Sequence, residues 1–152
     1  MSNEKRFPQT VQFTAQSFKE VVKTGEFVAV RVYCCIMVLL DGTQECERVI
    51  PTAIELARDT EAEIVLVCQN DPGHESYIES KSHELQQQGI KARGYVVAGT
   101  AQHIPDWLLK SESPDAIVMA KKPTGWIGRI LIGDAAAKLA SRADADIITL
   151  AV

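Results

Sequence analysis

The chain has 152 residues, 46% of them apolar, and a formal charge of −4. That length suits one compact domain with its own core, burying roughly 70% of the surface that the unfolded chain exposes. The acidic balance gives no footprint for nucleic acid, and the longest apolar run, "FVAVRVYCCIMVLL" at 27–40, carries Arg31 and is too short to cross a bilayer.

The polar start, "MSNEKRFPQTVQF", has no apolar signal region, so a cytoplasmic location is expected. "TAQSFKEVVKTG" (14–25) reads as a short helix with Thr14 as cap, Phe18, Val21 and Val22 on one face, and Gly25 as its end. "FVAVRVY" (27–33) has strand composition and runs into "CIMVLL" (35–40) without a turn signal. The second stretch is apolar throughout, as a parallel strand covered on both sides should be. "DGT" (41–43) turns the chain. "QECERVIPTAIELARD" (44–59) then places Val49, Ile50, Ala53, Ile54 and Ala57 at helical spacing, with Pro51 predicting a late start or a kink.

"EIVLVC" (63–68) is a second apolar strand. "DPGHES" (71–76) opens a polar helix that ends near "QQQGI" (86–90). "KARGYVVAG" (91–99) reads as a strand and "IPDWLLKSE" (104–112) as a short helix with Pro105 in its first turn. "DAIVMA" (115–120) is a strand, a glycine-bearing loop follows, and "DAAAKLASRA" (134–143) is an alanine-rich helix before the closing strand "DIITLAV" (146–152). Strand and helix alternate with a repeat of about thirty residues, which predicts an α/β fold with right-handed crossovers and a mostly parallel sheet.

In such sheets ligands lie beyond the carboxyl ends of the strands. Four stretches reach that edge: Asp41-Gly42-Thr43, Cys68-Gln69-Asn70, Ala98-Gly99-Thr100 and Ala120 onward. Asp41 has two readings, a ligand for a ribose or amino group and a helix-start carboxylate bonded to nearby amides. In "KKPTGWIGRILIGD" (121–134), Lys121, Lys122 and Arg129 have the charge to meet an anion, and glycines at 125, 128 and 133 allow backbone amides to approach one. The competing reading is a solvated lysine pair in a loop. No GxxxxGK[ST], GxGxxG or GxSxG order occurs.

His74, His83 and His103 fall in different elements without metal-ligand spacing, and each is expected at the surface. Asp115 begins a strand and is expected away from the site. The cysteines at 34, 35, 46 and 68 form no CxxC and are expected to be structural and reduced. No catalytic residue and no metal site is expected.

"IMVLLDGT" followed by "ERVIPTAIELARDTEAEIVLV", and "PDAIVMAKKPTGWIGRILIGDAAAKLASRADADIITLAV", together resemble the universal stress protein family. The resemblance covers residues 34–152 as one domain and leaves 1–33 as an N-terminal extension, which adds to the sheet edge, covers the pocket or alters a dimer. It implies a three-layer α/β sandwich with a mostly parallel five-stranded sheet, of the adenine nucleotide alpha hydrolase-like kind. It also implies a homodimer through the last strand, from Asp146 to Val152, and a role as a stress-response or interaction module.

One branch of that family binds ATP through Gly, two residues, Gly, nine residues, Gly, then Ser or Thr. On this chain those positions hold Ala120, Pro123, Gly133 and Asp134, while Asp41 matches the nucleoside-contacting aspartate. Pro123 has no N–H to donate, and Asp134 replaces a hydroxyl donor with an anion that repels phosphate. The resemblance therefore implies weak or absent ATP binding and no required cofactor. The alternative it leaves is an ATP or AMP binder with an altered phosphate site, built on Asp41, Ala120, Lys121, Arg129, Gly133 and Asp134. The connection from Gln69 to Gly73 is also short, which implies a small lid.

Overall fold

A computed structural model describes residues 10–12, 33–58, 60–98, 104–120, 127–128 and 135–150. The strands are β1 (Thr10–Gln12), β2 (Cys35–Leu40), β3 (Glu63–Gln69), β4 (Ala92–Val97), β5 (Ala116–Ala120) and β6 (Asp146–Leu150). The helices are α1 (Gln44–Glu47), α2 (Ile50–Arg58), α3 (His74–Gln87), α4 (Asp106–Glu112) and α5 (Ala135–Ala143). The expected helix at 14–25 and residues 27–32 of the strand expected at 27–33 lie outside the described residues, as do residues 151–152 of the last strand. Tyr33 precedes β2 without belonging to a strand.

The strands form one sheet in the order β1-β6-β5-β2-β3-β4. Strands β2 to β6 are parallel to their neighbours, giving the expected five-stranded parallel sheet. β1 adds a short sixth strand, antiparallel to β6. The crossovers β2-α2-β3 and β3-α3-β4 step one way across the sheet; those through α4 and α5 step the other way, past β2 to β5 and then β6. Right-handed crossovers therefore put α2 and α3 on one face and α4 and α5 on the other, making a three-layer sandwich.

The central strands are apolar because both faces are covered. Every residue of β2 and β5 is buried, and so are Ile64 to Cys68 in β3. Ile36, Met37, Leu39, Leu40, Ile117 and Met119 form the middle of the core. β4, at the outer edge, is buried only at Ala92 and Val97, with exposed or half-buried residues between them.

The helix expected over 44–59 is two helices. Thr43 caps α1 by accepting a bond from the Cys46 N–H at 3.2 Å. Arg48 ends that turn, and α2 begins at Ile50. Pro51 is then the second residue of a new helix, where its missing N–H has no helical acceptor to lose. Pro105 stands just before α4 as its N-cap rather than in its first turn.

Side chains bind the layers together. On one face Glu47 accepts from Tyr77 Oη at 2.8 Å and pairs with Lys81 Nζ at 2.9 Å, joining α1 to α3. On the other, Arg142 of α5 donates to the Ile104 carbonyl at 2.8 Å and pairs with Asp106 of α4. Inside, Tyr33 Oη donates to the fully buried Asp146 at 2.9 Å, at the start of β6. α3 lies so close to β4 that a Cβ on Gly94 would fall 2.0 Å from Cγ2 of Ile78.

Candidate functional site

The chain reverses its direction across the sheet between β2 and β5, and such a reversal is where open α/β sheets form a crevice. The pairing here has that form. The β2–β5 ladder joins Ile36, Met37 and Val38 to Ala116, Ile117 and Val118. Beyond it β2 runs on through Leu39 and Leu40, paired with β3, while β5 runs on through Met119 and Ala120, paired with β6. Asp41 follows one lip of this opening and Ala120 ends the other.

Asp41 is turned onto its own loop. Its Oδ1 accepts from the Thr43 N–H at 2.9 Å and from Thr43 Oγ1 at 2.6 Å. Thr43 Oγ1 in turn accepts from Cys46, so the carboxylate braces the cap of α1. Of the two readings of Asp41, the local one describes these bonds. Gly42 between them has φ +88°, a left-handed conformation that glycine takes without strain.

His74 backs this turn. Its Nδ1 lies 2.8 Å from the Gln69 carbonyl and 3.2 Å from Cys68 Sγ. A carbonyl oxygen only accepts, so Nδ1 carries the proton. The other ring nitrogen faces Gly42, where an added Cβ would come within 2.8 Å of Nε2. The expected surface position of His74 is thus corrected: the ring is half-buried and links the ends of β2 and β3. Its signal in the sequence was its place just after Cys68-Gln69-Asn70, at the same sheet edge. His83 is exposed, as expected, and His103 lies outside the described residues.

Two thiols lie beneath the turn. Burial pushes Cys46 and Cys68 up to about 12, and the Asp41 carboxylate adds to both shifts. Both are protonated and weakly nucleophilic near neutral pH. Cys35 behaves alike for the same reason. All four cysteines are free, with Cys34 exposed.

Of the residues that the sequence nominates, the structure brings Asp41 and Ala120 to the two sides of one opening. Lys121, Arg129, Gly133 and Asp134 lie outside the described residues, as do Lys122, Pro123 and Gly125. Between them Ile127 and Gly128 are helical, and Ile127 is fully buried. Asp115 is at the opposite edge, as expected, where Oδ2 accepts from the Cys34 and Cys35 amides at 2.6 and 3.0 Å. A cavity of about 160 Å³ bordered by Arg58, Glu61, Gln88 and Lys91 also opens at that opposite edge. Among the described residues no three His, Cys, Asp or Glu side chains are grouped to hold a metal ion. No described helix is long and apolar enough to cross a membrane.

The sequence matches no family profile and no curated protein. Several solved structures are similar in fold. One is a universal stress protein in complex with cAMP, 18% identical, with a TM-score of 0.56 over 80% of this chain and 98% of that one. A universal stress protein from Archaeoglobus fulgidus DSM 4304 is 12% identical, with a TM-score of 0.62 over 78% of this chain and 44% of that one. A member of the universal stress protein family from Burkholderia pseudomallei is 19% identical, with a TM-score of 0.53 over 81% and 99%. At these identities the likeness is one of architecture, and the chain shares the three-layer α/β fold of these universal stress proteins.

Proposed function

We propose that this chain is a universal-stress-like module for interaction or stress response, able to dimerise through the edge of β6 when that edge is free, with weak or absent ATP binding and no catalytic activity. The observation that carries this reading is the engagement of Asp41 with Thr43 at the mouth of the crevice. With Oδ1 already accepting two local bonds, Oδ2 is the oxygen left for a ribose hydroxyl. The sequence across the opening supports the same reading, since Ala120, Pro123 and Asp134 stand where the ATP-binding pattern has glycine, glycine and a hydroxyl. The protonated state of the nearby thiols supports the absence of nucleophilic catalysis.

A second reading is favoured by the relative in complex with cAMP. A cyclic monophosphate carries a single phosphate charge, so Asp134 opposes it less than it opposes a triphosphate. In this reading Lys121, Lys122 or Arg129 meets the phosphate, and AMP or cAMP rather than ATP is the ligand. Calorimetric titration with ATP, ADP, AMP and cAMP, with and without magnesium, separates the two. Absence of heat with every nucleotide supports the first. Binding of a monophosphate that weakens in Lys121→Ala and Arg129→Ala supports the second.

A further inference from the structure

The outer edge of β6 is already taken. β1 pairs with it antiparallel, with Thr10 opposite Thr149, Val11 opposite Ile148 and Gln12 opposite Ile147. The ladder is centred on Ile148, the middle residue of β6. A strand brought beside its own copy by a two-fold axis perpendicular to the sheet is necessarily antiparallel to it. A second copy of β6, centred on Ile148, would therefore run in the direction of β1 and occupy its place. Thr10-Val11-Gln12 then stands where Ile147-Ile148-Thr149 of the second copy would stand, with β-branched Val11 in the position of β-branched Ile148.

We propose that β1 is an intramolecular stand-in for the second copy, so that it holds the chain monomeric and must leave β6 before two copies pair there. The proposal deepens the dimer reading above and rests on it. Two differences set the balance. β1 contributes three residues, whereas a copy of β6 offers five. Against that, β1 is tethered, and its effective concentration exceeds that of any free copy. Pairing between copies is thus favoured at high protein concentration, or when the N-terminal segment is cleaved or bound elsewhere. The uncovered edge would otherwise be an open template for another strand.

The test uses the full chain and two variants, Val11→Pro and Gln12→Pro. N–H groups alternate sides along an antiparallel strand, so one of the two prolines removes a donor that faces β6. Sedimentation velocity over a concentration series is expected to show a monomer for the unaltered chain at low micromolar concentration. At least one variant should dimerise at tenfold lower concentration or less, with an unchanged circular dichroism spectrum. Hydrogen exchange on the unaltered chain gives a readout that does not depend on the variants. As concentration rises, the amides of residues 10–12 should lose protection while those of 147–149 keep it. Dimers that retain protection at 10–12 overturn the proposal, as does unchanged dimerisation in both folded variants. A dimer at every concentration with 147–149 protected and 10–12 exposed overturns the stand-in but leaves the β6 dimer intact. Monomers throughout, in every chain, overturn both.

Discussion

Asp41 and Thr43 close on one another at the mouth of the crevice, Oδ1 accepting from Thr43 Oγ1 at 2.6 Å and from its N–H at 2.9 Å. The same hydroxyl caps α1 through Cys46. Thr43→Ala should therefore destabilise the fold by about 1 kcal/mol, the usual worth of such a cap. Thr43→Ser should retain most of it. Urea unfolding of the three proteins checks this, and equal midpoints for Thr43→Ala and the unaltered chain would refute the bracing role.

Gly94 is where α3 meets β4. Gly94→Ala drives a methyl against Ile78 Cγ2, and such overpacking costs about 1–3 kcal/mol. Ile78→Ala alone should cost about 2–5 kcal/mol, since Ile78 is buried. The double variant Gly94→Ala/Ile78→Ala should lose less than the sum of the two, because the new methyl enters the space vacated by the old. Strict additivity in thermal or chemical unfolding would count against this contact.

Ser82 lies on the same helix face, and its Oγ is buried without a hydrogen-bond partner. Removing an unpaired buried hydroxyl relieves a desolvation cost of about 1 kcal/mol or more. Ser82→Ala should leave the melting temperature equal or higher. A clear loss of stability would show that the hydroxyl has a partner after all.

Glu112 gives an acid-dependent contribution. Burial works to raise its pKa, but bonds from Arg93 and Tyr95 outweigh that and hold the carboxyl below the usual range. Arg93 also pairs with Glu63 at 2.7 Å, so the network ties β3, β4 and α4. With the folded value depressed, the stabilisation is fully present above the ordinary carboxylate pKa and is lost as pH falls through the folded value. Glu112→Gln should destabilise at pH 7 by about 1–3 kcal/mol, and the difference should shrink as the solution is acidified below the ordinary carboxylate range. A difference independent of pH would contradict the assignment.

Much of this architecture was legible in the residues. β2, β3 and β5 announce themselves because strands buried on both faces carry unbroken apolar runs. The ends of α3 and β4 follow from the polar helix and the glycine-bearing turn between them. Other features were hidden for physical reasons. The break between α1 and α2 leaves the apolar spacing intact, so periodicity reads through it, and only Pro51 hints at the division. β1 is three residues at a sheet edge, too short for any period to register. His74 acts through a backbone carbonyl, a partner that no side-chain pattern encodes. At the candidate site the positions of Asp41 and Ala120 were legible from topology, because Asp41 follows β2 and Ala120 ends β5, the strands that flank the reversal. The bonds of Asp41 to Thr43 were not, since a ribose and a threonine hydroxyl ask the same chemistry of it.

We propose that the frame of an ATP site persists here without its phosphate contacts. The decisive experiment is calorimetric titration of ATP into the unaltered chain, beside Ala120→Gly/Pro123→Gly/Asp134→Ser. No micromolar binding is expected of the unaltered chain, and measurable binding once the two glycines and the hydroxyl are restored. Micromolar or tighter ATP binding by the unaltered chain would contradict it.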